Sequence, residues 1–392
     1  MLSTGIVNPG TFNDPLCTLP ATQALQSCTN QSGNYPFPFT YPPARNIQFG
    51  LGTFVLSWDP VNKYQPPTVY NWNVSLERQL PENILVRAAY VGSRSIHLTE
   101  TLNLNPRPVG STSSTPTRLN AIAGAALFST VQQDLQDINA IYNSMQLSVE
   151  KRMSRGFQVL ANYTWSKSLD DLPPRAGVTG FDTSSALPWD DVNRHRFDYG
   201  PSEFDHKHRF VASWIWQLPS LKDQHSFVRA VLGDWQLSGL MQAQTGRPMT
   251  VTQGSDISGT GIGQDRGTFT GVDPYTSGPC VGIASCKLWL NPAAFKATND
   301  PTIKNTFGNV GKGSLRFPGF YAWDMGVSKV FSITERYKLQ LRGEFFNIFN
   351  QVNFLSDEGT VNNFSTVSNG NFGRLRTAMD PRIGQLALKF IF

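Results

Sequence analysis

Beginning at Tyr70, apolar and polar residues alternate along the chain with a period of two. In YNWNVSLERQL, Tyr70, Trp72, Val74 and Leu76 alternate with Asn71, Asn73, Ser75 and Glu77, the spacing of an extended strand with one apolar face. The turn PEN at 81–83 follows, and Ile84, Val86, Ala88 and Tyr90 then share a face opposite Arg87, which predicts a hairpin. A second hairpin is predicted from Met145, Leu147 and Val149, a turn over Met153–Gly156, and Phe157, Val159, Ala161, Tyr163 and Trp165. A third pair comprises Phe210, Ala212, Trp214, Trp216 and Leu218, followed by Trp235, Leu237, Gly239, Met241 and Ala243. Trp323, Met325 and Val327 begin another strand. A short turn around Thr334 and Glu335 leads to Tyr337, Leu339, Leu341, Gly343 and Phe345, which oppose Lys338, Gln340, Arg342 and Glu344.

The last strand, PRIGQLALKFIF, ends the sequence without a polar tail. Phe392, Phe390, Leu388, Leu386 and Gly384 fall on one side, and Ile391, Lys389, Ala387, Gln385 and Ile383 on the other. The pattern predicts about nine strands of roughly 9 to 12 residues, longer than the soluble norm and suited to tilted strands that cross a bilayer. Residues 1–69 lack a sustained period and are rich in Pro and Gly, so they are expected to be an irregular, extracellular loop region with at most one strand near Thr53–Trp58. Residues 70–392 are expected to form the barrel part. A helix is expected between Leu119 and Ile138.

Alternation alone does not say which face meets solvent, because a soluble sandwich hides its apolar face and a membrane barrel displays it. Connection lengths separate the two: three short turns, at 81–83, 153–156 and 333–336, alternate with long passages, 219–233 being the intermediate case. Outer-membrane barrels have this asymmetry, with short turns on the periplasmic side and long loops outside. Trp72, Tyr90, Tyr163, Trp165, Trp214, Trp216 and Trp323 sit on apolar faces near strand ends, where interfacial girdles belong.

Composition fits. Charged residues are 16% of the chain and aromatics 12%, with 33 Gly and 26 Pro, the profile of a turn-rich all-β protein. The net charge of +5 comes from 33 basic and 28 acidic residues that are interleaved, so no basic run points to nucleic acid as a partner. No segment has the roughly 18 consecutive apolar residues of a membrane helix, and the first residues, MLSTGIVNPGTFNDP, lack the charged and apolar regions of an export signal.

Four cysteines form two close pairs, Cys17 with Cys28 and Cys280 with Cys286. Local disulfides in an oxidising compartment are the expectation, free thiols and other pairings being the alternatives. A zinc site would need CxxC-like spacing, which is absent. His206 and His208 have HxH spacing with His195 upstream, but they stand at a loop-to-strand junction. Gly259, Gly261 and Gly263 lack the strand and helix of a phosphate loop, and Asp265 and Asp273 lack EF-hand spacing. The expectation is no enzyme and no cofactor.

The segments YNWNVSLERQLPENILVRAAYVGSRSIHL, YNSMQLSVEKRMSRGFQVLANYTWSKSLDD, FDHKHRFVASWIWQLP, DWQLSGLMQAQTGRP, LRGEFFNIFNQVNF and PRIGQLALKFIF resemble the C-terminal barrel half of TonB-dependent receptors of the Oar-like type. The resemblance runs from Tyr70 onward and implies an antiparallel transmembrane β-barrel in the bacterial outer membrane. It also implies that the terminal aromatic, Phe392, with Phe390, Leu388 and Leu386 on the same face, is read by the barrel assembly machinery. No plug, TonB-contacting segment or amino-terminal barrel half is recognisable, so the chain is expected to be a partial barrel and to reach the TonB system only through a plug outside this sequence. Lys338, Gln340, Arg342 and Glu344 are expected to line a polar lumen, and the long loops to meet an unidentified ligand. A passive porin-like or adhesive barrel, and a secreted β-sandwich that binds saccharides, are the alternative readings.

Overall fold

The computed structural model describes residues 3–4, 52–58, 65–124, 128–174, 185–221, 225–263, 265–280, 286–355 and 364–392. Nine long strands carry the architecture: β1 Thr68–Leu80, β2 Ile84–Asn103, β3 Phe128–Ser154, β4 Phe157–Asp170, β5 His208–Gln217, β6 Trp235–Gln244, β7 Phe320–Ser332, β8 Lys338–Phe346 and β9 Ile383–Ile391. Each pairs antiparallel with the next in sequence, forming one meander. Among the described residues three short α-helices interrupt it: α1 Arg118–Ala123, α2 Arg194–Asp198 and α3 Ser226–Leu232.

All nine predicted strands form, and each apolar set lies on one face. Cross-strand partners in register share that face. One row runs Leu76, Ala88, Leu147, Tyr163 and Phe210, and a lower one Phe157, Trp216, Leu237, Val327, Gly343 and Leu386. Where Trp214 lies flat across the sheet, its partner is Gly239, at which a Cβ would stand 2.5 Å from the indole.

The expected helix at 119–138 is corrected. Only α1 is helical, and β3 begins at Phe128 and runs for 27 residues. Val131, Leu135 and Ile138 recur at near-helical spacing, but the outer extension of β2 pairs with this segment, Leu98 against Ile138 and Glu100 against Leu135. Two register shifts between Ser95 and Glu100, with His97 at φ 60°, absorb the mismatch, as β-bulges do. Pairing partners thus override the local period. The expected strand near 53–58 is present as Gly52–Trp58 and adds a parallel pairing to β3. Strand lengths run from 9 to 27 residues: β5, β6, β8 and β9 fall within the expected range and the other five exceed it.

Strand faces and core are inverted relative to a soluble protein. Leu76, Leu386 and Leu388 on the outward face are 75%, 80% and 67% exposed, whereas the largest buried apolar cluster, including Val251, Leu290, Phe295, Val310, Phe317, Phe364 and Leu375, lies in the connections at 245–319 and 347–382. The long irregular stretch expected from Thr245 to Phe320 is therefore a packed unit. It holds two small sheets: Pro248–Met249 with Leu315–Arg316, and Tyr275–Pro279 with Lys287–Leu290 and Arg374–Leu375. Among the described residues no second sheet covers the outward face, so a sandwich does not form.

The short turns at 81–83, 155–156 and 333–337, the connection at 218–234 and the end of β9 fall on one rim, called lower here. The long connections rise from the other. β1 pairs only with β2, and β9 only with β8, so these two are the edges of the meander, while Ser3–Thr4, paired with Gly52–Trp58, borders the branch on β3.

Candidate functional site

The polar face of the sheet and the folded connections above it make up the candidate site. Lys338, Gln340, Arg342 and Glu344 fall together on the polar face, as alternation requires, with Gln385, Ala387 and Lys389 of β9 beside them. Arg342 pairs with Glu344, and Gln385 donates to the same carboxylate. On the far side of the face Arg87 and Glu77 are 2.5 Å apart. Between them lies a depression of about 410 Å³ lined by Gln158, Ser213, Ser238, Asp324 and Glu344, with Leu160 and Leu240 among them. The expected lumen set thus occupies one row of a mixed polar surface.

Above this face the connections are locked by buried ion pairs that the sequence did not reveal. α2 presents Arg194, which pairs with Glu100 of the β2 extension and, at 2.7 Å, with Asp137 of β3. His195 lies 3.0 Å from Asp171 and 3.2 Å from Asp137. Arg266 reaches Asp198 at 2.5 Å with its guanidinium 3.8 Å from the Phe197 ring centre, Lys312 pairs with Asp170, and Arg316 pairs with Asp205. Acids at the upper end of β4 and in the connection at 171–207 therefore meet bases from 245–319, joining two loops that are distant in sequence. Breaking such a pair leaves an uncompensated buried charge, which is what makes the join rigid.

Burial dominates the electrostatics here. Glu100 stands above the part of β2 that β1 flanks, and burial, only partly opposed by Arg194 and reinforced by neighbouring Asp137, pushes its carboxyl up to about 9. A side-chain hydrogen bond between the Glu100 and Asp137 carboxyls adds to the rise. Burial also raises Asp198, against the pull of a Ser185 hydrogen bond and Arg266. Asp265 is raised to about 6 by burial, although it accepts from the Ser258 N–H at 2.7 Å.

The remaining sequence candidates serve local structure. His206 donates to the Thr245 carbonyl at 2.8 Å, and His208 Nδ1 is 2.8 Å from the Tyr163 hydroxyl. Gly259, Gly261 and Gly263 all have positive φ in consecutive turns. Asp265 holds the turn at Ser258, while Asp273 accepts from the Tyr275 N–H in an exposed turn. Cys280 and Cys286 form a disulfide next to the strand pair they flank. Cys17 and Cys28 lie outside the described residues. At the lower rim Tyr337, Phe390 and Phe392 form an aromatic ladder with ring centres 5.7 and 6.2 Å apart.

The sequence model of the outer membrane beta barrel domain matches residues 4–385. Among solved structures the chain is similar to the ferric-catecholate import receptor Fiu from E. coli K12, at 12% identity over 84% of this chain and 28% of that one, with a TM-score of 0.39. It is also similar to the outer membrane transporter YddB from Escherichia coli, at 11% identity over 83% and 32%, TM-score 0.40. A further likeness is to the ferripyoverdine receptor of Pseudomonas aeruginosa, at 10% identity over 83% and 27%, TM-score 0.40. The chain spans about a third or less of the length of these structures. No curated protein matches the sequence.

Proposed function

This chain belongs to the outer membrane beta barrel family and is a protein of the bacterial outer membrane; from that premise we propose that it is the barrel portion of a receptor of the TonB-dependent type that captures and admits a ligand from outside the cell. The observation that carries the reading is the division between a bilayer-facing sheet without a core and a separately packed, ion-paired cap over its upper rim. An aqueous pore needs no packed cap, whereas a receptor needs loops held in fixed geometry to recognise a ligand. The cap is the capture surface, and Lys338, Gln340, Arg342 and Glu344 belong to the polar wall beneath it. The chain works by binding and passage, without catalysis. Coupling to the TonB system goes through a plug segment. Insertion uses the terminal face of Phe392, Phe390, Leu388 and Leu386, read by the barrel assembly machinery.

Liposome swelling with the whole receptor, plug segment included, purified from outer membranes tests this reading against a passive pore. A gated receptor admits small sugars no faster than empty liposomes. Rapid swelling would transfer the chain to the porin-like class.

A further inference from the structure

The lower rim carries one element that a plain turn does not need. The connection from β5 to β6 is long enough to contain α3, and α3 is amphipathic. Phe227, Val228, Val231 and Leu232 fall on adjacent i, i+4 ridges of one side, with Arg229 on the other. Phe227 is 72% exposed, Leu232 59% and Val231 44%, so the apolar side faces away from the protein.

Its attachment places it on the outward face of the sheet. Trp235 and Lys329 are register partners there, in line with Leu341 and Leu388. The Trp235 indole N–H donates to the Val231 carbonyl at 2.8 Å. The Lys329 amine, buried among the Trp235 and Phe331 rings, donates to the Gly233 carbonyl at 2.5 Å, closing the end of the helix. Gly233 is required at this junction, since a Cβ would stand 2.7 Å from the Ser220 carbonyl and 2.9 Å from that of Arg229. A second outward-face lysine on the same rim, Lys151, turns its amine to the Glu82 carbonyl at 3.1 Å and the Ser154 hydroxyl at 2.6 Å. Both lysines thus direct their charge to polar groups at the rim, as side chains do at the edge of a hydrocarbon layer.

We propose that α3 is an interfacial anchor lying in the periplasmic leaflet of the outer membrane, with Phe227, Val231 and Leu232 among the acyl chains and Arg229 at the headgroups. The occupant follows from continuity: the exposed side of α3 extends the apolar surface formed by exposed Trp216, Leu386, Leu388 and Phe390. Helices with one apolar and one basic side lie in such interfaces whatever their length. The proposal rests on the outward face of the sheet being the lipid face.

Nitroxide labels at Phe227→Cys, Arg229→Cys and Leu388→Cys, each in the whole protein in phosphatidylethanolamine/phosphatidylglycerol vesicles, test it through collision with oxygen and with a water-soluble nickel chelate. The signal of the unsubstituted chain is subtracted. Oxygen-to-nickel preference at 227 is expected to match that at 388 and to exceed that at 229 several-fold. Nickel access at 227 equal to that at 229, with 388 still in lipid, overturns the anchor alone. Shielding of 227 from both reagents assigns the face to a protein partner and also overturns it. Nickel access at 388 removes the lipid-facing reading of the sheet, and the anchor with it. Leu232→Cys repeats the measurement if the 227 variant fails to assemble.

Discussion

At the scale of single residues, Arg194 decides the most. Its guanidinium is almost wholly buried and satisfies Glu100 on one side and Asp137 on the other. Arg194→Met leaves the Asp137 carboxylate without its cation and the buried Glu100 carboxyl without its hydrogen-bond donor, and leaving buried groups unsatisfied in this way costs about 1–3 kcal/mol. The expected outcome is a cap that melts earlier than wild type while strand content persists, read by limited proteolysis of the 171–207 connection alongside circular dichroism. Glu100 gives a pH signature. Its folded-state value of about 9 lies above the ordinary 4.5, so the folded form holds the proton more tightly than the unfolded form. Its contribution is complete below about pH 4.5 and is lost as pH rises through 9. Asp265, raised from 3.8 to about 6, acts in the same direction but has finished by neutral pH. Between pH 7 and 9 the cap of the wild-type protein should therefore lose stability, and Glu100→Gln should flatten that slope; an unchanged slope would remove Glu100 as its source.

At the scale of elements, the outward face sets the consequences. Leu386 lies mid-strand in β9 and is fully outward, so Leu386→Arg is expected to cost about 2–4 kcal/mol, the loss for a basic residue at the bilayer midplane. Lys389→Leu on the polar face should change stability by no more than about 0.5 kcal/mol, as for ordinary surface substitutions. Unfolding from vesicles in urea compares the two. Phe392→Asp, at the exposed terminal ring, is expected to lower the assembled fraction in outer-membrane extracts. Element by element, the sheet was legible because alternation with a period of two is a local property: every strand from Tyr70 onward could be placed, including which residues share a face with Lys338. The segment 128–138 was not legible. Its apolar residues recur at helical spacing, and pairing with two segments distant in sequence, Leu98–Asn103 and Gly52–Trp58, makes it extended. The ion pairs were illegible for the same reason, since Glu100 and Arg194, or Asp205 and Arg316, meet through folding of the loops and carry no mark of burial in the sequence.

At the scale of the whole molecule, stability divides between two parts. The sheet relies on lipid around its apolar face, and the cap relies on its own apolar cluster, its ion pairs and the Cys280–Cys286 bond. Reduction of that bond is accordingly expected to increase proteolysis near 275–290 without loss of strand content. The central claim is that the sheet crosses the outer membrane with the cap outside and the tight turns in the periplasm. Val192 of the cap is 94% exposed and Ile333 of a tight turn 62% exposed, so single cysteines at these positions report on the two sides. With a membrane-impermeant maleimide, Val192→Cys should label on intact cells, and Ile333→Cys only after the outer membrane is permeabilised. Labelling of Ile333→Cys on intact cells, or equal labelling of both, would contradict the account.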